Sequence, residues 1–296
     1  MRIGYPCINL GVGCTPNSTF RKKSYSEERL KSAVSNNLNC LSRILGYNKR
    51  NNILFFRVSS DIVPFASHPI CKFNWAKHFR EEFHKVGEYA LQNGMRLSMH
   101  PDQFVVINSP NPDVVERSVR ELEYHVKVLD LMGLDESAKI QIHVGGVYGN
   151  KDESIERFAE NYKKLRLGVK RRLVVENDEK LFSLRDCLFL NEKIGIPVVF
   201  DSLHHECLNN GESRVDAISL ASETWGEKDG QPIIDYSSQK RGGRVGAHAP
   251  TINLKHFRTF VEEVGKRNID IMLEIKDKER SAMKALKLLQ SLNMRR

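Results

Sequence analysis

The sequence predicts an α/β protein, a (β/α)8 TIM barrel built as one domain over residues 1–296. Two observations carry that expectation. Apolar runs of strand length alternate with longer stretches whose apolar residues recur at helical spacing. The alternation completes eight rounds, with no repeat, low-complexity run or long linker to mark a domain boundary. A doubly wound sheet alternates in the same way and is the competing architecture.

The strands are expected at Ile3–Asn9, Ile53–Ser59, Arg96–His100, Lys139–Val144, Leu173–Glu176, Pro197–Asp201, Pro232–Asp235 and Asp270–Glu274. Between them, Glu27–Leu45 places Leu30, Val34, Leu38, Leu41 and Leu45 on one helical face. Helical patterns follow at Trp75–Gln92, Val114–Met132, Ile155–Gly168, Leu184–Ile194, Val215–Glu223, Leu254–Val264 and Arg280–Leu289. Three connections are long: Gly11–Ser26, Asp61–Asn74 and Ser237–Asn253. Each follows a strand, and loops in that position build the active face of a barrel.

Composition narrows the function classes. Hydrophobic residues make up 40% and charged residues 28%, a globular balance rather than a disordered one. No stretch approaches the ~20 apolar residues of a membrane helix. The N-terminus lacks a signal-peptide pattern, so the cytoplasm is the expected location and no membrane partner is expected. Six cysteines are scattered without a CxxC pair, and free thiols are expected. Forty-six Lys and Arg against 37 Asp and Glu give a formal charge of +9, which favours a polyanionic partner. Basic runs occur at Arg21-Lys22-Lys23 and at Lys240, Arg241 and Arg244, suited to phosphate contacts or to a solvated surface.

The strand ends carry the chemistry. Ser59, Ser60 and then His68 follow the second strand; His100 and His143 end the third and fourth. Glu176 ends the fifth, Asp201 and His204 the sixth, Asp235 and then His248 the seventh, and Glu274 the eighth. A single histidine at a strand end is usually a hydrogen-bonded pocket residue. Successive units offering imidazole or carboxylate toward one pocket instead form a nitrogen and oxygen ligand set for zinc, manganese or iron. So many carboxylates need cations between them, and a cluster of two or three divalent ions is expected, suited to phosphodiester hydrolysis. Glu176, Asp201 and Glu274 are the expected catalytic carboxylates. His205 adjoins His204, and the D-x-x-H spacing favours His204. His78, His84, His125 and His256 fall inside helical patterns and read as structural or exposed.

The segments MRIGYPCINL, FFRVSSDIVPFASHP, RLSMHPDQFVVINSP, IHVGGVYGNK, LVVENDE, PVVFDSLHHE, GAHAPTI and LEIKDKE lie in order across nearly the whole chain. Together they resemble the ultraviolet damage endonuclease family, metal-dependent barrels related to the three-zinc apurinic endonucleases. The resemblance implies DNA repair by nicking double-stranded DNA immediately 5′ of cyclobutane pyrimidine dimers, 6-4 photoproducts and other lesions such as abasic sites. The products are a 3′-hydroxyl and a 5′-phosphate. It implies Mn2+ as the usual ion, with Zn2+, Co2+ or Mg2+ as substitutes, and a monomer associated with the nucleoid through DNA. The implied ligands are His68, His100, His143, Glu176, Asp201, His204, His248 and Glu274. The implied lesion-probing residues are Tyr5, Gln103 and Phe104; taken alone, Tyr5 and Phe104 read as loop packing.

One segment departs from the family. Its members commonly carry lysine, any residue, histidine on the seventh strand, and that lysine can be carboxylated to bind metal. Here Ile233 and Asp235 hold those positions. Isoleucine cannot ligate, whereas aspartate can, and Asp235 is kept in the expected ligand set. Two other classes stay open: a metal-dependent sugar isomerase or epimerase barrel, and a damaged-DNA-binding barrel without catalysis.

Overall fold

The computed structural model describes residues 1–293. Eight parallel strands close into a barrel: β1 Ile3–Pro6, β2 Phe55–Val58, β3 Arg96–Met99, β4 Ile140–His143, β5 Leu173–Glu176, β6 Val198–Asp201, β7 Ile233–Tyr236 and β8 Asp270–Leu273. The closed ring excludes the doubly wound alternative, which leaves two open edges. Strand positions agree with the sequence reading, and the observed strands are shorter by up to three residues.

Side chains alternate across each strand, so residues two apart share a face. Ile3, Tyr5, Phe56 and Val58 point outward into the main core under the helices. Inward, Phe55, Val174, Val199, Ile233 and Met272 form a separate apolar layer. Two residues further along the same strands come Arg57, Glu176, Asp201 and Asp235, with Glu274 just past β8. At the opposite end of the barrel, Arg96 pairs with Asp270 at 3.1 Å and Lys139 with Asp229 at 2.5 Å. The interior is thus a charged floor, an apolar plug and a polar mouth.

Three differences from the expected elements have local causes. The Trp75–Gln92 pattern is two helices, Trp75–His78 and Arg80–Gln92, broken at Phe79, where φ is −102° and ψ is 17°. The short helix Leu167–Arg172 follows Lys151–Lys164. A further helix, Ser202–Cys207, opens directly from β6 because Asp201 is its N-cap and accepts the His204 amide at 2.8 Å.

The cysteine expectation is corrected. Cys14 and Cys40 form a disulfide across a sequence separation of 26, tying the loop after β1 to the helix Glu27–Arg50. Cys7, Cys71, Cys187 and Cys207 are free. Helical winding brings Cys40 beneath the loop, a proximity that sequence spacing does not reveal.

Candidate active site and metal centre

Strand register assembles the mouth. His143 on β4 lies beside Glu176 on β5, and Asp201 on β6 lies beside Asp235 on β7. Glu176 is the hub. Its Oε2 stands 3.2 Å from His100 Nε2 and 3.5 Å from His143 Nε2, and its Oε1 stands 3.2 Å from His204 Nδ1. Three overlapping groups could hold a divalent ion: His100, His143 and Glu176; Glu176, Asp201 and His204; and Asp201, Asp235 and Glu274. His248 Nδ1 lies 3.5 Å from Glu274 Oε2, so the loop after β7 returns to the same mouth.

Tautomers follow from the partners. A carbonyl only accepts, so His100 donates from Nδ1 to the Pro101 carbonyl at 2.9 Å and keeps Nε2 as a lone-pair donor. His204 Nδ1 lies 3.0 Å from the Asn177 carbonyl as well as facing Glu176 Oε1, and its Nε2 lies 4.0 Å from Glu179 Oε2. His143 Nδ1 and Asp201 Oδ2 are buried without hydrogen-bond partners. Nitrogen and oxygen donors, thiolates absent from the three groups and orphaned donor atoms fit a divalent cation.

Electrostatics points the same way. Burial disfavours the Glu176 carboxylate, yet His143, His100 and His204 outweigh it and hold the group well below its usual range. Burial also opposes charge on His204, but Asp201 and Glu176 raise its pKa to about 11. Burial, aided by Glu176 and Glu274, raises Asp201 to about 6. The mouth therefore favours positive charge beside Glu176.

The sequence reading missed Arg57 and Gln141. Arg57 Nη2 donates to Asp235 Oδ1 at 2.9 Å and to Oδ2 at 2.7 Å, while Nη1 pairs with Glu274. Gln141 accepts from Arg57 Nη2 at 3.0 Å and donates to Glu176 Oε2 at 2.6 Å and Asp235 Oδ2 at 2.7 Å. The available signal was period two: Arg57 and Gln141 stand at inward positions of strands whose other inward residues are apolar or ligand types. Asp235 is wholly buried.

A groove of about 590 Å³ opens at this mouth, lined by Arg57, His100, Gln103, Phe104, His248 and Glu274, with Lys276 and Lys278 alongside. Phe104 is 65% exposed, and Gln103 is also exposed. Lys22, Lys23, Lys240, Arg241 and Arg244 are exposed as well. The last three ride a hairpin-like loop in which Gln239 bridges His248 and Lys240 N donates to Ala247 O at 2.7 Å. His68 lies apart from the three groups. It lines a neighbouring cavity with Phe65, Phe104 and Tyr124, and its Nδ1 accepts the Ile70 amide at 3.0 Å.

Tyr5 is a correction. It points out of the barrel interior, is 0% exposed and packs edge-on against Phe56. Its hydroxyl donates to Asn48 Oδ1 at 2.6 Å and accepts from Asn9 Nδ2 at 2.7 Å. A ring held this way by the core does not reach a base in the groove.

The model of the family described as UV-endonuclease UvdE matches residues 2–295. The chain belongs to the UV-endonuclease family. A Clostridium perfringens relative named UV DNA damage endonuclease is 40% identical over 295 residues, covering 99% of this chain and 72% of the relative. A Bacillus thuringiensis subsp. konkukian relative of the same name is 35% identical, covering 99% of this chain and 95% of its own. The crystal structure of SacUVDE superposes with a TM-score of 0.95 at 49% identity, covering 99% of both chains. D-psicose 3-epimerase from Clostridium cellulolyticum H10 superposes at a TM-score of 0.55 and 11% identity, over 84% of this chain and 92% of the epimerase. That likeness concerns the fold alone.

Proposed function

We propose that this UV-endonuclease family member is a metal-dependent DNA repair enzyme that nicks duplex DNA immediately 5′ of UV photoproducts. Cyclobutane pyrimidine dimers and 6-4 photoproducts are the bulky substrates, abasic sites a lesser one, and the products are a 3′-hydroxyl and a 5′-phosphate. The observation that carries the reading is the convergence of His100, His143 and His204 on buried Glu176, at a groove lined by exposed Phe104 and by Lys276 and Lys278. A sugar epimerase shares the barrel, but exposed cations and an exposed aromatic at the rim suit a polyanion better.

Glu176, Asp201, His100, His143, His204, His248 and Glu274 would hold the divalent ions, with manganese the expected species. Bound there, such ions supply acidification of water and neutralisation of the scissile phosphate and departing oxygen. The protein's own residues do the remainder. Lys22, Lys23, Lys240, Arg241 and Arg244 hold the backbone phosphates and set the register of the duplex. Phe104 enters the stack at the weakened lesion, and Gln103 hydrogen-bonds into the gap, since extrusion is cheapest where pairing is already damaged. The Pro101 carbonyl keeps His100 in the tautomer that presents Nε2, and the Asn177 carbonyl fixes the orientation of the His204 ring. The enzyme acts as a monomer in this reading.

The test is incision of two otherwise identical duplexes, one with a single defined pyrimidine dimer, across Mn2+, Zn2+, Co2+ and Mg2+. Dimer-dependent nicking that stops with chelator is expected. Binding of damaged DNA without nicking under every metal would instead support a binding protein. Turnover of a ketose without nicking would support the epimerase class.

A further inference from the structure

Resting on the metal-dependent reading above, one end of the centre differs in kind from the rest. Asp201, Asp235 and Glu274 offer oxygens close enough to share an ion. Yet a cation of the protein already serves two of them. Arg57, from β2, spans Asp235 and Glu274 with its two terminal nitrogens and is itself 3% exposed.

Three of the roughly four acceptor sites on Asp235 are taken by this arrangement. Both of its oxygens accept from Arg57 Nη2, and Oδ2 accepts again from Gln141 Nε2 at 2.7 Å. Gln141 cannot turn round, because guanidinium only donates to its oxygen and carboxylates only accept from its nitrogen. The network thus fixes Arg57 against Asp235 from both sides. A divalent ion on Asp235 would stand within a few ångströms of the guanidinium, where like charges in a buried site repel strongly. Guanidinium stays charged at any working pH and is weakly hydrated, so it suits a permanent buried role.

The rest of β7 offers no substitute. Ile233 belongs to the apolar layer with Phe55, Val174, Val199 and Met272. Ser237 is buried, donates to the Ser238 carbonyl and accepts the Ala249 amide. By contrast, Asp201 keeps Oδ2 without a partner, and Glu274 keeps Oε2 facing His248.

We infer that Arg57 is a resident cation standing where the third group would hold an ion, so that Asp235 positions Arg57 and ligates no metal, and bound metal is confined to two ions sharing Glu176. Asp201 and Glu274 line the boundary between the ionic and guanidinium halves. Arg57 meets the groove, so its charge also lies where a scissile phosphate would rest.

The experiment counts ions on folded, gel-filtered protein by elemental analysis after equilibration with Mn2+, with circular dichroism to report the fold. Wild type is expected to carry two ions per chain. Asp235→Asn is expected to keep two, with the Mn2+ Kd changed less than about threefold, whereas Glu176→Gln loses at least one. Arg57→Met frees the carboxylates and is expected to gain one ion, and Arg57→Lys to return to two. Loss of an ion in Asp235→Asn overturns the inference, as does a folded Arg57→Met with an unchanged count. If Arg57→Met does not fold, the Asp235→Asn count decides alone. Wild-type protein that binds no ion sinks the metal-dependent reading together with this one. An ion-loaded, lesion-nicking wild type whose Asp235→Asn variant loses an ion sinks only this one.

Discussion

At the residue scale, Asn177 joins two strands' ends where the ladder has stopped. Its side-chain oxygen accepts the Asp201 amide at 2.9 Å, its Nδ2 donates to the Asp201 carbonyl at 3.1 Å, and its own carbonyl orients His204. Asn177→Ala orphans two buried main-chain groups and is expected to cost about 1–3 kcal/mol of stability. Because Asp201 and His204 lose their alignment, Mn2+ affinity is expected to fall ~10–100-fold. Urea midpoints and Mn2+ titrations of the variant check both numbers. His125 shows how burial, with His100 nearby, sets a pH limit. Burial lowers its pKa to about 4, with the Nδ1 proton donated to the Glu121 carbonyl at 2.7 Å. The unfolded side chain takes a proton near pH 6.5, so the unfolded state binds more protons between that value and 4. The His125 contribution is therefore complete above about pH 6.5 and lost as pH falls toward 4, by about 3 kcal/mol at most. The slope of stability against pH in wild type and His125→Gln reads it directly; equal slopes would rule this histidine out as the cause.

At the scale of elements, β7 and its loop do two jobs with one excursion. The Gln239–His248 bridge closes a small hairpin whose tip carries Lys240, Arg241 and Arg244 and whose base returns His248 to Glu274. Gly246 makes the return possible: its φ is +76°, and a Cβ there would meet Glu179 Cγ at 2.6 Å. The basic tip and the loop bearing Lys22 are expected to touch phosphate rather than bases. Lys22→Ala and Arg241→Ala should each weaken damaged and undamaged duplex about equally and reduce the salt slope by roughly 1. Affinities measured from 50 to 200 mM salt test this, and an unchanged slope would place that side chain off the DNA path. Such a readout separates the rim from Phe104 and Gln103, whose proposed role concerns the lesion.

Across the whole molecule, the apolar layer of Phe55, Val174, Val199, Ile233 and Met272 separates the polar mouth from the charged floor. Arg96 and Lys139 neutralise Asp270 and Asp229 below it, while Arg57 serves the carboxylates above. No described helix is long and apolar enough to cross a membrane. Placing a family-like lysine into the apolar layer should fail. Ile233→Lys buries an ammonium among Phe55, Val174, Val199 and Met272, with Arg57 already neutralising the nearest carboxylate. A loss on the order of 3–5 kcal/mol is expected. Thermal unfolding of the purified variant checks it, and a Tm within a degree or two of wild type would mean that the lysine finds an anion or a carboxylated form.

The barrel was legible because its two periods are local properties. Strand alternation and helical spacing survive in any reading of the chain, and Leu173–Glu176, Leu184–Ile194 and Leu254–Val264 agree residue for residue with the sequence reading. The metal-type residues were legible for the same reason: a barrel sends every strand's end to one face, so position along a strand stands for position in space. Pairing was not legible. Whether Asp235 meets an ion or Arg57 depends on a contact spanning 178 residues, set by barrel closure. Tyr5 faces outward because the inward positions of β1 fall to Gly4 and Pro6, and a Cβ at Gly4 would meet the Phe55 carbonyl at 2.6 Å. Sequence determined which chemistry stands at the mouth; tertiary structure decided which groups hold one another, because only closure sets the distances that electrostatics acts upon.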